Sequence, residues 1–203
     1  MFKLKNIFGS KPEPKPQTPP LRTVFLGRDG VLNEKMPDGL YIVRWPDFHV
    51  LSGVPEALKR LNDAGLRVVV LTNQPGIALG MYTAKDVDAI HSSFQRMLDS
   101  YGARIDAFFV CPHSEGQCNC HLPLTGLFEQ AVAKFPEVRA EESVMIGDTK
   151  ADMEFGRNLG MRTVLIEVDP LQQGSGSEEA RKLADQRFAS LPEAVEALLK
   201  AKS

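Results

Sequence analysis

Apolar and polar positions alternate along this chain in blocks that predict strands and helices in turn. Runs of consecutive apolar residues at 24–26 and 68–71 predict strands that are buried on both faces of a parallel sheet. Apolar residues three and four apart over 54–64 predict an amphipathic helix closed by Gly65. Further helices are predicted over 84–101, 126–135 and 151–159, and further strands over 107–110, 143–146 and 163–166. This alternation predicts a three-layer α/β/α sandwich with a parallel, Rossmann-like sheet.

The first twenty residues differ in composition from the rest of the chain. Residues 11–20 are rich in proline and charge, which favours an extended, semi-rigid spacer. In front of it, Leu4, Ile7 and Phe8 lie at helical spacing among basic residues. Residues 1–10 are therefore either a disordered start or a short helix that docks weakly on a partner or a membrane surface. We predict a flexible Pro-rich tail at 1–20 and one folded domain at 21–203.

Composition narrows the classes of partner. The chain has 203 residues, of which 43% are hydrophobic, and this is enough for one sizeable core. A net charge of −2 gives no electrostatic footprint for nucleic acid. The sequence has neither an apolar run of roughly 18 residues, as a membrane span needs, nor a signal-peptide pattern. We therefore expect a cytoplasmic protein with no membrane span and no nucleic-acid partner.

All three cysteines of the chain fall within one ten-residue segment that also contains a histidine. Cys111, His113, Cys118 and Cys120 form a Cys₃His set that suits tetrahedral Zn²⁺. The alternative is a chance grouping of free thiols in a reducing compartment. Because a four-ligand zinc site is closed, the metal is expected to be structural. No cysteine is left over, so disulfides are not expected.

Polar residues follow three of the predicted strands. Asp29 comes after the first strand, Thr72 and Asn73 after the second, and Asp148 with Asp152 after the fourth. Each group alone is typical of a turn or a helix cap. In a parallel sheet, however, these strand ends meet at one edge, where ligands bind. The three groups together therefore predict a binding crevice.

Four segments carry a resemblance to a known family. They are residues 23–33 (TVFLGRDGVLN), 51–58 (LSGVPEAL), 72–78 (TNQPGIA) and 111–120, with the cysteines. Over 22–198 the chain resembles the haloacid dehalogenase (HAD) superfamily. Within it, the chain is most similar to the zinc-carrying D-glycero-D-manno-heptose 1,7-bisphosphate phosphatases and the related histidinol-phosphate phosphatases, which have no large cap domain.

The resemblance implies roles for individual residues. Asp29 would be the general acid/base, and its backbone carbonyl would bind Mg²⁺ together with Asp148. Thr72, with Asn73 beside it, would contact the phosphoryl group, and Asp152 would support the metal ligands. The family's specificity loop corresponds to residues 36–45, where Arg44 could hold an anion. The family's zinc loop shapes the substrate pocket.

Departures from the family pattern change the expected function. Gly27 stands at the position of the attacking aspartate, and Leu122 stands where the family has the lysine that neutralises phosphate. His121 replaces a substrate-recognising arginine, Leu79 replaces another arginine, and Thr149 replaces a lysine. Because the nucleophile and the positive charge are both lost, we predict a pseudophosphatase with a binding, regulatory or assembly role. Mg²⁺ binding is expected to be weak or absent.

Two alternatives stay open at this stage. One is an active phosphatase for a sugar or another small phosphate ester that works by an altered mechanism. The other is an interaction module, tethered by the N-terminal tail, whose old pocket has no role. The partner is accordingly a small phosphate ester or another protein.

Overall fold

The computed structural model describes residues 19–37, 39–167 and 176–202. Within these ranges, six parallel strands form one sheet in the order β3-β2-β1-β4-β5-β6. The strands are β1 (Thr23–Leu26), β2 (Arg67–Asn73), β3 (Ala107–Cys111), β4 (Ser143–Gly147), β5 (Arg162–Ile166) and β6 (Gln186–Phe188). The predicted parallel sheet is confirmed, and each predicted strand lies within two residues of its observed bounds.

Helices cover both faces of the sheet. They are α1 (Val54–Asp63), α2 (Ala84–Asp99), α3 (Gly126–Lys134), α4 (Lys150–Leu159), α5 (Ser177–Leu183) and α6 (Leu191–Lys202), with short 3₁₀ helices at Trp45–Asp47 and Ala140–Glu142. Apolar residues of α1, α2 and α6 pack on one face, and those of α3 and α4 pack on the other. The predicted three-layer sandwich is therefore confirmed.

The core follows the two-residue period of the strands. Val24 and Leu26 of β1 point toward the layer of α1, α2 and α6, whereas Phe25 points toward α3 and α4. All three are fully buried. Burying such side chains on both faces contributes about 1.5–3 kcal/mol each. This explains why the central strand is apolar throughout rather than alternating.

Strand β1 marks the point where the chain changes direction across the sheet. It pairs with β2 on one side and with β4 on the other, and the chain reaches β4 only after crossing from β3. At such a switch point the loops that follow adjacent strands diverge and leave a crevice at the carboxyl edge. The polar segments after β1, β2 and β4 all border this crevice.

The first described residues lead into β1. Pro19 and Pro20 are exposed, whereas Leu21 is buried and Arg22 N–H donates to the Glu142 carbonyl oxygen at 2.8 Å. Residues 1–18 of the predicted tail lie outside the described residues. Within the described ranges, no helix has the length and apolar character needed to cross a membrane.

Candidate functional site

A crevice of about 180 Å³ opens at the carboxyl ends of β1, β2 and β4. It brings together most of the predicted site residues. Its lining includes Gly27, Arg28, Asp29, Lys35, Thr72, Asn73, Leu122, Asp148, Thr149 and Asp152. The sheet thus assembles residues that are up to 125 positions apart in sequence.

The carboxylate of Asp29 is held on both oxygens. Its Oδ1 accepts hydrogen bonds from Arg28 Nη2 at 3.0 Å and from Asn33 Nδ2 at 2.9 Å, and its Oδ2 accepts from Gln74 Nε2 at 3.1 Å. The Arg28 side chain is only 1% exposed, and the pair with Asp29 is charge-assisted. These bonds fix the carboxylate at the crevice wall.

Gln74 connects Asp29 to Thr72 and to the neighbouring loop. Its Nε2 also donates to Thr72 Oγ1 at 2.9 Å, and its Oε1 accepts a hydrogen bond from the Tyr82 hydroxyl. Burial raises the pKa of Tyr82 to about 12, so this hydroxyl remains a donor at neutral pH. The site therefore contains a buried polar network in addition to the predicted Thr72 and Asn73.

Gly27 and Gly30 lie on either side of Asp29, but only position 30 has a backbone conformation that requires glycine. Gly30 has φ of 79°, and a Cβ there would come within 2.5 Å of Asp148 Oδ2. Gly27 has no such backbone constraint, and its nearest neighbour to a new Cβ would be Val31 Cγ2 at 3.3 Å. A side chain at position 27 therefore needs only a small shift of Val31. A requirement for glycine at the end of β1 does not explain Gly27.

Asp148 is paired with Lys35, a residue that belongs to none of the predicted site motifs. Lys35 Nζ donates to Asp148 Oδ2 at 2.8 Å, and the Asp148 side chain is 3% exposed. Burial alone would lower the pKa of Lys35, but attraction to Asp148 outweighs burial and raises it. Burial raises the pKa of Asp148, against the pull of Lys35.

Asp152 serves the fold as well as the crevice. Its Oδ2 accepts hydrogen bonds from Thr149 N–H at 3.1 Å and from Thr149 Oγ1 at 2.6 Å. Thr149 Oγ1 in turn accepts from Asp152 N–H, which completes a capping box at the start of α4. Burial, followed by the nearby Asp148 charge, raises the pKa of Asp152 to about 6. These contacts show Asp152 as a helix-capping residue, and its expected support of the metal ligands stays a prediction.

Asn73 and His121 form hydrogen bonds with the segment that contains Leu122. Asn73 Oδ1 accepts from Leu122 N–H at 3.0 Å, and Asn73 Nδ2 donates to the Leu122 carbonyl oxygen at 3.2 Å. His121 Nδ1 lies 3.3 Å from Asn73 Nδ2. Leu122 is buried and borders the crevice, so an apolar side chain occupies this part of the wall.

The loop expected to set specificity borders a second, adjoining crevice of about 180 Å³. Met36, Pro37, Gly39, Leu40, Tyr41 and Ile42 line it. The Tyr41 and Tyr82 rings, 5.6 Å apart, join this loop to the one after β2. Arg44 is not brought to either crevice; its guanidinium is exposed and pairs with Asp47 at 2.8 Å.

The four predicted zinc ligands converge. The three sulfur atoms are 3.2–3.5 Å apart, and His113 Nδ1 lies 3.4 Å from Cys120 Sγ and 3.9 Å from Cys111 Sγ. A tetrahedral site with Zn–S bonds of about 2.3 Å has S···S edges of about 3.8 Å. The donor set and the spacing therefore fit a closed four-coordinate metal site. Cys118 Sγ also accepts the His121 N–H at 3.3 Å, which links this cluster to the crevice wall.

The expected magnesium ligands fit their ion less well. Mg²⁺ needs near-octahedral oxygen ligands and is held by one or two carboxylates together with substrate phosphate. Gly27 supplies no carboxylate, and the Asp148 carboxylate already accepts from Lys35. With no carboxylate at position 27 and with Asp148 paired to Lys35, the observed arrangement of side chains does not fit Mg²⁺.

The structure adds Arg28, Asn33, Lys35 and Gln74 to the site. Gln74 could have been found from the sequence because it belongs to the Thr72-Asn73-Gln74 segment. Lys35 carried no sequence signal, since a lysine in a polar loop is ordinarily solvated.

Comparisons with known proteins find similar sequences and structures. A HAD-hydrolase-like family model matches residues 120–193. D-glycero-alpha-D-manno-heptose-1,7-bisphosphate 7-phosphatase of Mycobacterium tuberculosis is 39% identical over 137 residues, 67% of this chain and 72% of that protein. The D-glycero-beta-D-manno-heptose-1,7-bisphosphate 7-phosphatase of Haemophilus ducreyi is 34% identical over 168 residues, 78% of this chain and 90% of that protein.

Solved structures show the same relationship. The D,D-heptose 1,7-bisphosphate phosphatase from B. bronchiseptica, complexed with magnesium and phosphate, superposes with a TM-score of 0.76 at 27% identity. The match covers 89% of this chain and 99% of that one.

Proposed function

Because this chain belongs to the heptose-1,7-bisphosphate 7-phosphatase family of HAD proteins, we propose that it is a pseudophosphatase that binds a small phosphate monoester of the sugar class without hydrolysing it. The observation that carries the proposal is Gly27, at the end of β1, where the family's pattern has the attacking aspartate. Gly27 lines the crevice and offers no attacking group.

The magnitude of the two losses supports this proposal. Removing the nucleophile of a well-studied hydrolase lowers turnover on the order of a million-fold. Leu122 also replaces the lysine that would offset phosphoryl charge, and one lost donor of that kind costs about a hundred-fold to a thousand-fold. These losses reduce turnover far more than they reduce ground-state binding, because the attacking group acts only in the reaction.

The features that remain are suited to binding. Thr72 and Lys35 line the crevice and present a hydroxyl and an ammonium group. The adjoining crevice along 36–42 offers apolar and aromatic side chains for the rest of a ligand. The Cys₃His cluster contacts His121, the sequence neighbour of Leu122 in the wall of the first crevice. A cytoplasmic location is part of the proposal, since the cluster needs reduced thiols.

An active enzyme with an altered mechanism is the second candidate. It would use Asp29 as a base that activates water, and Asp29 does border the crevice. However, both Asp29 oxygens already accept hydrogen bonds from Arg28, Asn33 and Gln74. Proton uptake by Asp29 would compete with these bonds. The third candidate, a tethered module, depends on residues 1–18, which lie outside the described residues.

Two measurements on the same protein test the proposal. Phosphate release should be absent with heptose 1,7-bisphosphate, histidinol phosphate and an aryl phosphate in the presence of Mg²⁺. Calorimetry should nevertheless detect binding of at least one sugar phosphate, and Thr72→Val should weaken it. Robust magnesium-dependent turnover that Asp29→Asn abolishes would overturn the proposal in favour of the active enzyme.

A further inference from the structure

Lys35 enters the crevice from the loop after β1 and meets Asp148 at the end of β4. The two residues are 113 positions apart, and Lys35 Nζ lies 2.8 Å from Asp148 Oδ2. The lysine side chain is 24% exposed and the aspartate 3%, so the pair lies at the floor of the crevice rather than on the surface. A pair in this setting is screened much less than a surface ion pair.

The backbone just before Lys35 is anchored. Glu34 N–H donates to the His49 carbonyl oxygen at 2.8 Å, and Leu51 N–H donates to the Leu32 carbonyl oxygen at 3.0 Å. Asn33, which is fully buried, donates to both Asp29 and the Glu34 carbonyl oxygen. These bonds fix the course of the loop, and that course brings the Lys35 ammonium group to Asp148.

In the described part of the chain, two of the three carboxylates that line the crevice are each paired with a cation of the chain itself. Arg28 neutralises Asp29, and Lys35 neutralises Asp148. The third carboxylate, Asp152, accepts two hydrogen bonds from Thr149. Gly27 removes the further negative charge that a divalent cation would offset. A Mg²⁺ ion bound to Asp148 Oδ2 would have to displace the ammonium group and leave Lys35 unpaired.

We propose that Lys35 occupies the position of Mg²⁺ in this chain, so that its ammonium group is the permanent cation of the crevice and phosphate is bound without a metal. The inference rests on the proposed function for its ligand, a phosphate monoester, but the pairing with Asp148 can be tested without that ligand. Lys35 then contacts the phosphate directly and supplies a positive charge that Leu122 does not offer.

A magnesium titration of three variants tests whether Lys35 occupies the position of Mg²⁺. Lys35→Met frees the Asp148 carboxylate, so 10 mM Mg²⁺ should raise its melting temperature by about 3–5 °C if its Kd is about 1 mM. The wild type and Lys35→Arg, which keeps the charge, should shift by less than about 1 °C. Lys59→Met, which removes an exposed lysine paired with Asp63, is the matched control and should behave like the wild type.

Titration with inorganic phosphate tests whether Lys35 binds phosphate without a metal. The buffer contains no magnesium, and no chelator is used because a chelator would remove metal from the Cys₃His cluster. Phosphate should stabilise the wild type, and Lys35→Met should bind it about ten-fold more weakly until Mg²⁺ is added, which should restore binding. Rescue by the metal is not expected if Lys35 only supports the loop.

A magnesium-dependent shift of the wild type equal to that of Lys35→Met would overturn the inference, as would phosphate binding by the wild type that requires Mg²⁺. If Lys35→Met does not fold without a metal, folding on addition of Mg²⁺ supports the inference, and failure to fold at any Mg²⁺ concentration contradicts it. If the wild type does not bind phosphate with or without Mg²⁺, that result would contradict the proposed function instead. The magnesium titration would still decide whether Lys35 takes the place of Mg²⁺.

Discussion

The side chain of Asn73 forms two hydrogen bonds with the backbone of Leu122, accepting from its N–H at 3.0 Å and donating to its carbonyl oxygen at 3.2 Å. The last residue of β2 therefore fixes the residue that stands at the family's lysine position. Because this anchor uses only backbone atoms of Leu122, it should survive replacement of the leucine side chain.

A paired reversion should restore catalysis in part. Gly27→Asp with Leu122→Lys returns the attacking group and the positive charge to one pocket, and a Cβ at position 27 needs only a small shift of Val31. Phosphate release from heptose 1,7-bisphosphate with Mg²⁺ should rise above the wild-type background. Gly27→Asp alone should remain about a hundred-fold slower, because the two charges act on the same phosphoryl group.

The matched control is Gly27→Asp with Leu124→Lys. Leu124 is exposed and lies two residues from Leu122, so this variant adds the same charge to the same segment outside the crevice wall. Equal rates in the two paired variants, or no gain in either, would contradict the prediction.

The cysteine cluster should hold about one zinc ion per chain. Elemental analysis of protein prepared without chelators should find zinc at that ratio, and the three thiols should be protected from a thiol reagent until the metal is removed. Cys118→Ser should lose the zinc and lower the melting temperature by several degrees, since metal binding contributes to the free energy of folding. Full thiol reactivity in freshly prepared protein would argue against the site.

His91 should make the protein less stable in mild acid. It is stacked on Phe108, with ring centroids 4.2 Å apart, and burial followed by the Arg28 charge lowers the pKa of His91 to about 3. A lowered histidine pKa stabilises the fold above the unfolded value of about 6.5 and loses that contribution as pH falls toward 3. From pH 7 to pH 5 this one residue should cost about 2 kcal/mol of unfolding free energy.

Comparison with His91→Phe isolates this contribution. The variant keeps the ring stacking, and the His91 Nε2 atom has no hydrogen-bond partner among the described residues, so none is lost there. Asp152, whose pKa is raised to about 6, acts in the opposite direction because it binds a proton more readily in the folded state. Urea unfolding at pH 5 and 7 should therefore show a smaller acid loss, or a gain, in the variant. Parallel pH profiles would contradict the assignment.

The N-terminal segment should be dispensable for folding. Removing residues 1–20 leaves the buried Leu21 and the contact between Arg22 and Glu142 in place. The melting temperature should change by less than about 2 °C. A larger fall would show that the segment packs on the domain. A change only in localisation or partner binding would favour the docking-helix interpretation.

The sequence by itself determined the order of the elements as far as β5 and indicated most of the residues that line the crevice. Buried strands and amphipathic helices have short periods that are visible locally, as in the apolar run of β1 and the spacing of α1. The four metal ligands lie within ten residues, and the substitutions at Gly27 and Leu122 were visible in the motifs themselves. The short α5 and β6 were not predicted, because 176–190 has few apolar residues to set a period. The longer α6 was not predicted either, although Leu191, Val195 and Leu198 lie at helical spacing.

The tertiary structure decided how the side chains are used. Lys35 pairs with Asp148 because the sheet order places β1 beside β4. Asn73, predicted to contact substrate, anchors Leu122, and Arg44 pairs with its neighbour Asp47. Such choices depend on which groups lie within about 3 Å of one another, and a pattern of hydrophobic and polar positions contains no information on distances between segments 50 or 100 residues apart.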